Sequence, residues 1–203
     1  MSRRALLGCL AAACLLLAGC GSAGGLGSAS SGPGNGLQGL ILRPRKLAPP
    51  LALHDYTGQP VSLAAQRGKA VLVTFVYTHC PNVCPLIVSN LAAAQRGLGA
   101  EARHLQIIAV TVDPRRDTPA AVRTFLTKRG ALGRMDYLLG SSVQLRRTWK
   151  AWDVAISTGK NKLTDGHSSL VYGITASGRM AVVYPSNFTP REIIHDVPLL
   201  ASE

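Results

Sequence analysis

Two long hydrophobic runs dominate the pattern of apolar and polar positions along the chain. They cover residues 70–77 (AVLVTFVY) and residues 105–112 (LQIIAVTV), and both are rich in β-branched residues. Neither run shows the regular alternation of a strand with one exposed face. Continuous runs of this kind are typical of strands that are buried on both faces. We therefore expect a sheet whose central strands are covered on both sides.

Shorter segments surround these two runs. Residues 51–55 and 60–63 flank a turn that contains Gly58, which predicts a β-hairpin. The remaining segments predict helices over residues 84–98, 119–129 and 142–152, strands over 137–139, 169–175 and 179–184, and a terminal helix that begins at the capping box of Thr189 and Glu192. This order predicts an α/β fold with a central mixed β-sheet flanked by helices and an N-terminal β-hairpin.

The N-terminal residues have the pattern of an export signal. Arg3 and Arg4 precede an apolar stretch over residues 5–18, which is shorter than the roughly 18 residues of an ordinary membrane span. The stretch ends in Leu-Ala-Gly-Cys20, which resembles the bacterial lipobox. That resemblance implies that residues 1–19 are a lipoprotein signal peptide and that Cys20 is the lipid-modified first residue of the mature chain. A plain signal peptide with an incidental Cys20 is the alternative.

Residues 21–39 are dominated by glycine and serine, without apolar periodicity. We interpret residues 20–46 as a flexible, lipid-anchored tether and residues 47–203 as one folded domain. The expected location is therefore the outer face of the cytoplasmic membrane.

The chain is basic, with 22 Lys and Arg against 10 Asp and Glu and a formal net charge of +12. The basic residues are scattered and lack interleaved aromatic residues. An exported protein does not ordinarily meet nucleic acid, so no nucleic-acid partner is expected. A solvated basic surface beside anionic lipid accounts for the charge.

Two of the five cysteines, Cys80 and Cys84, fall in the predicted domain. They follow the first buried strand, at the sheet edge where ligands bind in open α/β folds. A spacing of four at the start of a helix places both on one face, and a helix N terminus stabilises thiolate. This placement argues against a purely structural disulfide. It leaves a redox couple and a metal site as open interpretations.

Three sequence blocks carry a family resemblance. Residues 73–85 (VTFVYTHCPNVCP), 110–119 (VTVDPRRDTP) and 165–168 (DGHS) resemble, in order, the hallmark blocks of the Sco/SenC copper chaperones. The resemblance covers the chain from about residue 47 onward. It implies a thioredoxin-like fold and one copper ion per chain, as Cu(I), Cu(II) or both, held by the two cysteines and a distant histidine. It also implies a function in building the dinuclear copper centre of cytochrome c oxidase.

The resemblance points to further site residues. His167 precedes the predicted strand at 169–175, in a loop that faces the cysteines in a thioredoxin-like fold, and is the expected third copper ligand. Asp113 ends the second buried strand, where it either orients a ligand or forms a turn with Pro114. Many family members carry aspartate where this chain has Asn82. We expect that change to alter oxidation-state preference or partner choice without abolishing copper binding.

Two functions remain open at this point. As a metallochaperone, the protein receives copper, for example from another extracytoplasmic donor, and passes it to the copper-bearing oxidase subunit. As a thiol–disulfide oxidoreductase, Cys80 and Cys84 form a redox-active pair that keeps the target's copper-ligating cysteines reduced. The Cys-x-x-x-Cys spacing and the absence of proline from residues 161–174 favour metal binding over general reductase activity, so we do not expect a turnover enzyme.

Overall fold

A computed structural model of the protein describes residues 36–155 and 169–203. One mixed sheet forms the centre of this part of the chain. Its eight strands are β1 (Leu40–Ile41), β2 (Ala52–Asp55), β3 (Pro60–Ser62), β4 (Ala70–Val76), β5 (Leu105–Thr111), β6 (Asp136–Leu139), β7 (Val171–Ile174) and β8 (Met180–Tyr184), in the spatial order β1-β8-β7-β4-β5-β6-β2-β3. Four α-helices accompany the sheet: α1 (Val83–Gly97), α2 (Pro119–Lys128), α3 (Ser142–Ala151) and α4 (Pro190–Ala201). Two short 3-10 helices cover Ala64–Gln66 and Gly99–His104.

The two hydrophobic runs form the paired central strands, as predicted. β4 and β5 are parallel, and every residue of β4 is buried. Because successive side chains of a strand point to opposite faces, complete burial means that both faces of the sheet are covered here. The predicted N-terminal hairpin is also confirmed, as β2 and β3.

Local sequence signals set the starts of three helices. The Thr118 hydroxyl accepts a hydrogen bond from the amide of Ala121 at 3.2 Å, so Thr118 caps α2 immediately before Pro119. Capping boxes begin α3, at Ser141 and Gln144, and α4, at Thr189 and Glu192. These signals act within one helical turn, which is why the box of Thr189 and Glu192 predicts the start of α4 from the sequence alone.

The folded part begins earlier than residue 47, which corrects the predicted end of the tether. β1 pairs with β8, and Leu37 is only 8% exposed. The backbone amide of Gln38 donates to both carboxylate oxygens of Asp196, at 3.0 and 2.9 Å. The sequence did not reveal this because β1 has two residues, too few for a periodic signal, and its partner lies far along the chain.

Within residues 36–155 and 169–203, no helix combines the length and the apolar character needed to cross a bilayer.

The N-terminal contacts predict a difference in stability between two truncated proteins. A protein that begins at residue 47 should have a free energy of unfolding lower by about 3 kcal/mol than one that begins at residue 36. It loses the burial of Leu37 and leaves the buried Asp196 carboxylate without the Gln38 amide. Urea denaturation of both proteins measures the difference. Equal midpoints and slopes would show that this segment adds nothing to the fold.

Candidate metal centre

The two cysteines of the described domain lie at the N terminus of α1. β4 ends at Val76, and the intervening loop carries Cys80, which is half-buried. The helix begins at Val83, so Cys84 falls in its first turn and is completely buried. Both are free thiols. The predicted placement at the strand-to-helix junction is therefore confirmed.

Hydrogen bonds at this helix end favour a thiolate at Cys80. Its sulfur accepts the backbone N–H of Cys84 at 3.3 Å. The Cys84 thiol is the largest influence on Cys80, and together with the amides of Cys84, Asn82 and Val83 it lowers the pKa of Cys80 to about 5, against the opposing effect of burial. Unpaired amides of a first helical turn stabilise negative charge in this way.

The second cysteine has the opposite preference. Its hydrogen bond to Cys80 and its burial raise the pKa of the Cys84 thiol far above the ordinary value. One proton is therefore shared unequally, with Cys80 as the thiolate and Cys84 as the thiol that donates to it. The pair offers one ready soft donor and one that becomes a donor when its proton leaves, which suits Cu(I) or Zn²⁺.

Tyr77 contributes to this environment, although sequence analysis assigned it only to a strand. It is 2% exposed, and burial followed by the charge and hydrogen bond of Cys80 raises its pKa to about 12. The phenol hence stays protonated and donates to Cys80. The available sequence signal was a hydroxyl-bearing aromatic residue at the end of the strand that leads to the cysteines.

Asp117 is a second residue that sequence analysis did not assign to the site. It lies in the block VTVDPRRDTP, two residues before the predicted helix start at residue 119. In the structure Thr118 caps α2. The Asp117 carboxylate instead accepts hydrogen bonds from the amide and the hydroxyl of Thr78, in the cysteine loop, at 2.9 and 2.7 Å.

Asp113 lies in a turn after β5. Its amide donates to the Thr111 hydroxyl at 3.0 Å, and its carbonyl accepts the amides of Arg116 and Asp117 at 3.1 and 3.0 Å. Its carboxylate, 4% exposed as a residue, pairs with the guanidinium of Arg116. These contacts agree with the interpretation that Asp113 forms a turn with Pro114. A role for Asp113 in orienting a metal ligand stays a prediction.

The predicted third ligand, His167, and the predicted lipidation site, Cys20, lie outside the described residues. Within residues 36–155 and 169–203, no cluster of three or more His, Cys, Asp or Glu side chains could hold a metal ion.

The remaining histidines have other surroundings. His79 is exposed, and its Nδ1 lies 2.9 Å from the Thr78 hydroxyl. Since that hydroxyl donates its hydrogen to Asp117, Nδ1 of His79 must be the donor in this contact. His54 is exposed in β2, His104 ends a 3-10 helix, and His195 contacts Asp196.

The unequal thiols predict selective alkylation of the reduced, copper-free protein. The rate of Cys80 modification by iodoacetamide should rise through a midpoint near pH 5 and then level off, while Cys84 stays unmodified. A lowered pKa means that the thiolate persists above that pH and is lost below it. Peptide mass mapping identifies the labelled residue.

Cys84→Ala provides the control for this assay. It removes the donor thiol but keeps the helix amides, so the midpoint for Cys80 should move upward. An unchanged midpoint would contradict the proton-sharing description.

Comparison with known proteins agrees with this geometry. The chain is 34% identical over 150 residues to a protein of Stutzerimonas stutzeri named for copper binding, with 72% of this chain and 69% of that protein covered. It superposes on Bradyrhizobium japonicum ScoI, solved with copper bound, at a TM-score of 0.66 and 28% identity, over 76% of this chain and 99% of the other. It also superposes on BsSco at a TM-score of 0.65 and 26% identity, over 78% of this chain and 95% of the other. BsSco is described as a member of the Sco family of cytochrome c oxidase assembly proteins, and a disulfide switch was identified in it.

These similarities extend over nearly all of the described domain. The likeness to ScoI confirms the predicted thioredoxin-like fold. The family model SCO1/SenC matches residues 42–202, which include both cysteines and Asp117. The chain therefore belongs to the SCO1/SenC family.

Proposed function

We propose that this protein is a copper metallochaperone. It binds one copper ion through Cys80, Cys84 and His167 and delivers it to the copper-bearing subunit of cytochrome c oxidase. The observation that carries the proposal is the pair of unequal thiols at the start of α1. Relatives named for copper binding and solved with copper bound support it, as does the description of the Sco family as oxidase assembly proteins.

The two cysteines have different tasks in binding. Cys80 is half-buried and already a thiolate, so it is the accessible first donor and needs no deprotonation. Cys84 is buried and protonated, and its proton must leave when it becomes a ligand. Copper capture should therefore release about one proton from the cysteine pair near neutral pH, with the helix amides stabilising the negative sulfurs.

Delivery requires a site that can open. Cys80 lies in a loop before the helix, whereas Cys84 is held within its first turn. Ligand exchange with an acceptor thiolate is expected to begin at Cys80, the more accessible of the two sulfurs, while Cys84 retains the ion.

Copper titration of the reduced protein tests the binding site. The wild type should bind one equivalent, and Cys80→Ala and Cys84→Ala should lose stable binding because each removes a thiolate donor. His167→Ala should bind more weakly, with an altered Cu(II) absorption and EPR spectrum. His54→Ala, an exposed histidine in β2, is the matched control and should behave as wild type.

Two results would revise the proposal. An unchanged spectrum and stoichiometry in His167→Ala would remove that residue from the site. No stable copper binding by the wild type, together with a readily reducible Cys80–Cys84 disulfide, would favour a thiol–disulfide oxidoreductase.

The oxidoreductase alternative rests on the same pair. A half-exposed thiolate beside a buried thiol is the arrangement of an attacking and a resolving cysteine. Cys80 would attack a target disulfide and release one target thiolate. Cys84 would then displace the second, leaving a Cys80–Cys84 disulfide and transferring two electrons to the target. A dithiol reductant must restore the pair after each cycle. The disulfide switch of BsSco supports keeping this candidate.

We further infer that Cys20 anchors the protein to the outer face of the cytoplasmic membrane. Cys20→Ala should abolish incorporation of a labelled fatty acid and move the protein out of the membrane fraction. Cys14→Ala, within the apolar stretch of the signal, is the control and should remain acylated. Acylation that persists in Cys20→Ala would contradict the lipobox interpretation.

A further inference from the structure

We propose that Asp117 is a positioning residue for the copper site, which holds the Cys80 loop in the conformation that binds the ion. The proposal rests on the copper-binding function proposed above and adds a residue to it. Asp117 itself is not a ligand in this proposal. It acts through Thr78, which lies in the loop two residues before Cys80.

The Asp117 carboxylate is the hub of a buried hydrogen-bond network. The residue is 2% exposed. One oxygen accepts the backbone amide of Thr78 at 2.9 Å and its hydroxyl at 2.7 Å. The other accepts the hydroxyls of Thr111 at 2.6 Å and Tyr137 at 2.7 Å. All four acceptor positions of a carboxylate are thus occupied.

The donors come from three separate parts of the fold. Thr78 follows β4, Thr111 ends β5, and Tyr137 lies in β6. Asp117 therefore joins the cysteine loop to the end of β5 and to the side chain of Tyr137 in β6. Its own segment is held by its amide, which donates to the carbonyl of Asp113 at 3.0 Å. A buried carboxylate is costly unless it is fully hydrogen-bonded, so this network has one favourable arrangement.

This arrangement reaches the cysteine through the loop backbone. The amide of Cys80 donates to the carbonyl of Tyr77 at 3.3 Å, which closes a turn around Thr78. Fixing Thr78 thus fixes the turn that aims the Cys80 sulfur at the first amides of α1. The Thr78 hydroxyl also accepts a hydrogen bond from Nδ1 of His79, so the Asp117 carboxylate holds Thr78 directly and His79 through Thr78.

Helix capping does not account for Asp117, because Thr118 caps α2. The chain also offers a matched carboxylate away from the cysteines. Asp196 is completely buried and accepts the amide of Gln38, the hydroxyl of Tyr184 at 2.8 Å and Nδ1 of His195 at 2.7 Å. Asp196 connects the N-terminal segment to α4. Its substitution therefore measures how much stability the fold loses when a buried carboxylate far from the cysteines is removed.

The experiment compares Asp117→Ala and Asp117→Asn with Asp196→Asn in the full chain. Asp117→Ala should weaken copper binding by about tenfold to a hundredfold and shift the thiolate-to-Cu(II) charge-transfer band, because the ligand is no longer oriented. Asp117→Asn keeps an acceptor for the Thr78 amide and should show a smaller loss. Asp196→Asn should lower the thermal midpoint but keep the wild-type affinity and band position.

A readout without copper separates this proposal from the proposed function. In the reduced, copper-free protein, exchange of the Thr78 amide hydrogen should be protected in the wild type and Asp196→Asn, and fast in Asp117→Ala. If the wild type binds no copper, the proposed function fails, and protection of this amide still decides whether Asp117 holds the loop.

Two outcomes would overturn the proposal. The first is wild-type copper affinity, band position and Thr78 protection in a folded Asp117→Ala protein. The second is an equal effect of Asp196→Asn on affinity and band, which would mean that general destabilisation is responsible. If Asp117→Ala does not fold, the pair Asp117→Asn and Asp196→Asn gives the same decision, since the two substitutions are chemically identical.

Discussion

The hydrogen bonds that Cys80 accepts at the N terminus of α1 are the interaction on which the site depends. Amides of a first helical turn have no partner within the helix, and here a sulfur anion takes that place. The neighbouring thiol of Cys84 then has only one favourable state, as a donor to that anion. A site with one half-buried thiolate and one fully buried thiol follows from the position of two cysteines relative to one helix end.

The sheet places this helix end where a second loop can support it. β4 and β5 run parallel and in register, so that Val76 lies beside Thr111 and both strands end at one edge. The loop after β4 carries the cysteines, and the loop after β5 carries Asp113 and Asp117. The buried central strands thus supply a rigid edge, and the hydrogen bonds of Asp117 connect the cysteine loop to it.

Metal delivery and thiol exchange make similar demands on this geometry. Both need an accessible thiolate with a buried partner, and the described residues provide that pair without a third metal-binding side chain beside it. The ligand expected from the DGHS block therefore distinguishes the two functions chemically. Two thiols alone can be oxidised to a disulfide, whereas an added imidazole ligand stabilises a bound metal ion.

Features that arise from short stretches of chain are predictable from the amino-acid sequence. The buried runs predict β4 and β5, the capping box of Thr189 and Glu192 predicts the start of α4, and the cysteine spacing predicts a paired site at the start of α1. Each of these depends on residues within one strand or one helical turn, so a local pattern suffices.

Features that join residues far apart in the chain arise only in the folded protein. β1 exists because β8 and Asp196 lie beside it, and its two residues carry no periodic signal. Asp117 lies beside a predicted helix start in the sequence, and it becomes the centre of a hydrogen-bond network only when the ends of β4 and β5 and the side chain of Tyr137 meet around it. The unequal acidity of the two cysteines likewise depends on burial and hydrogen-bond direction, which the spacing of residues does not specify.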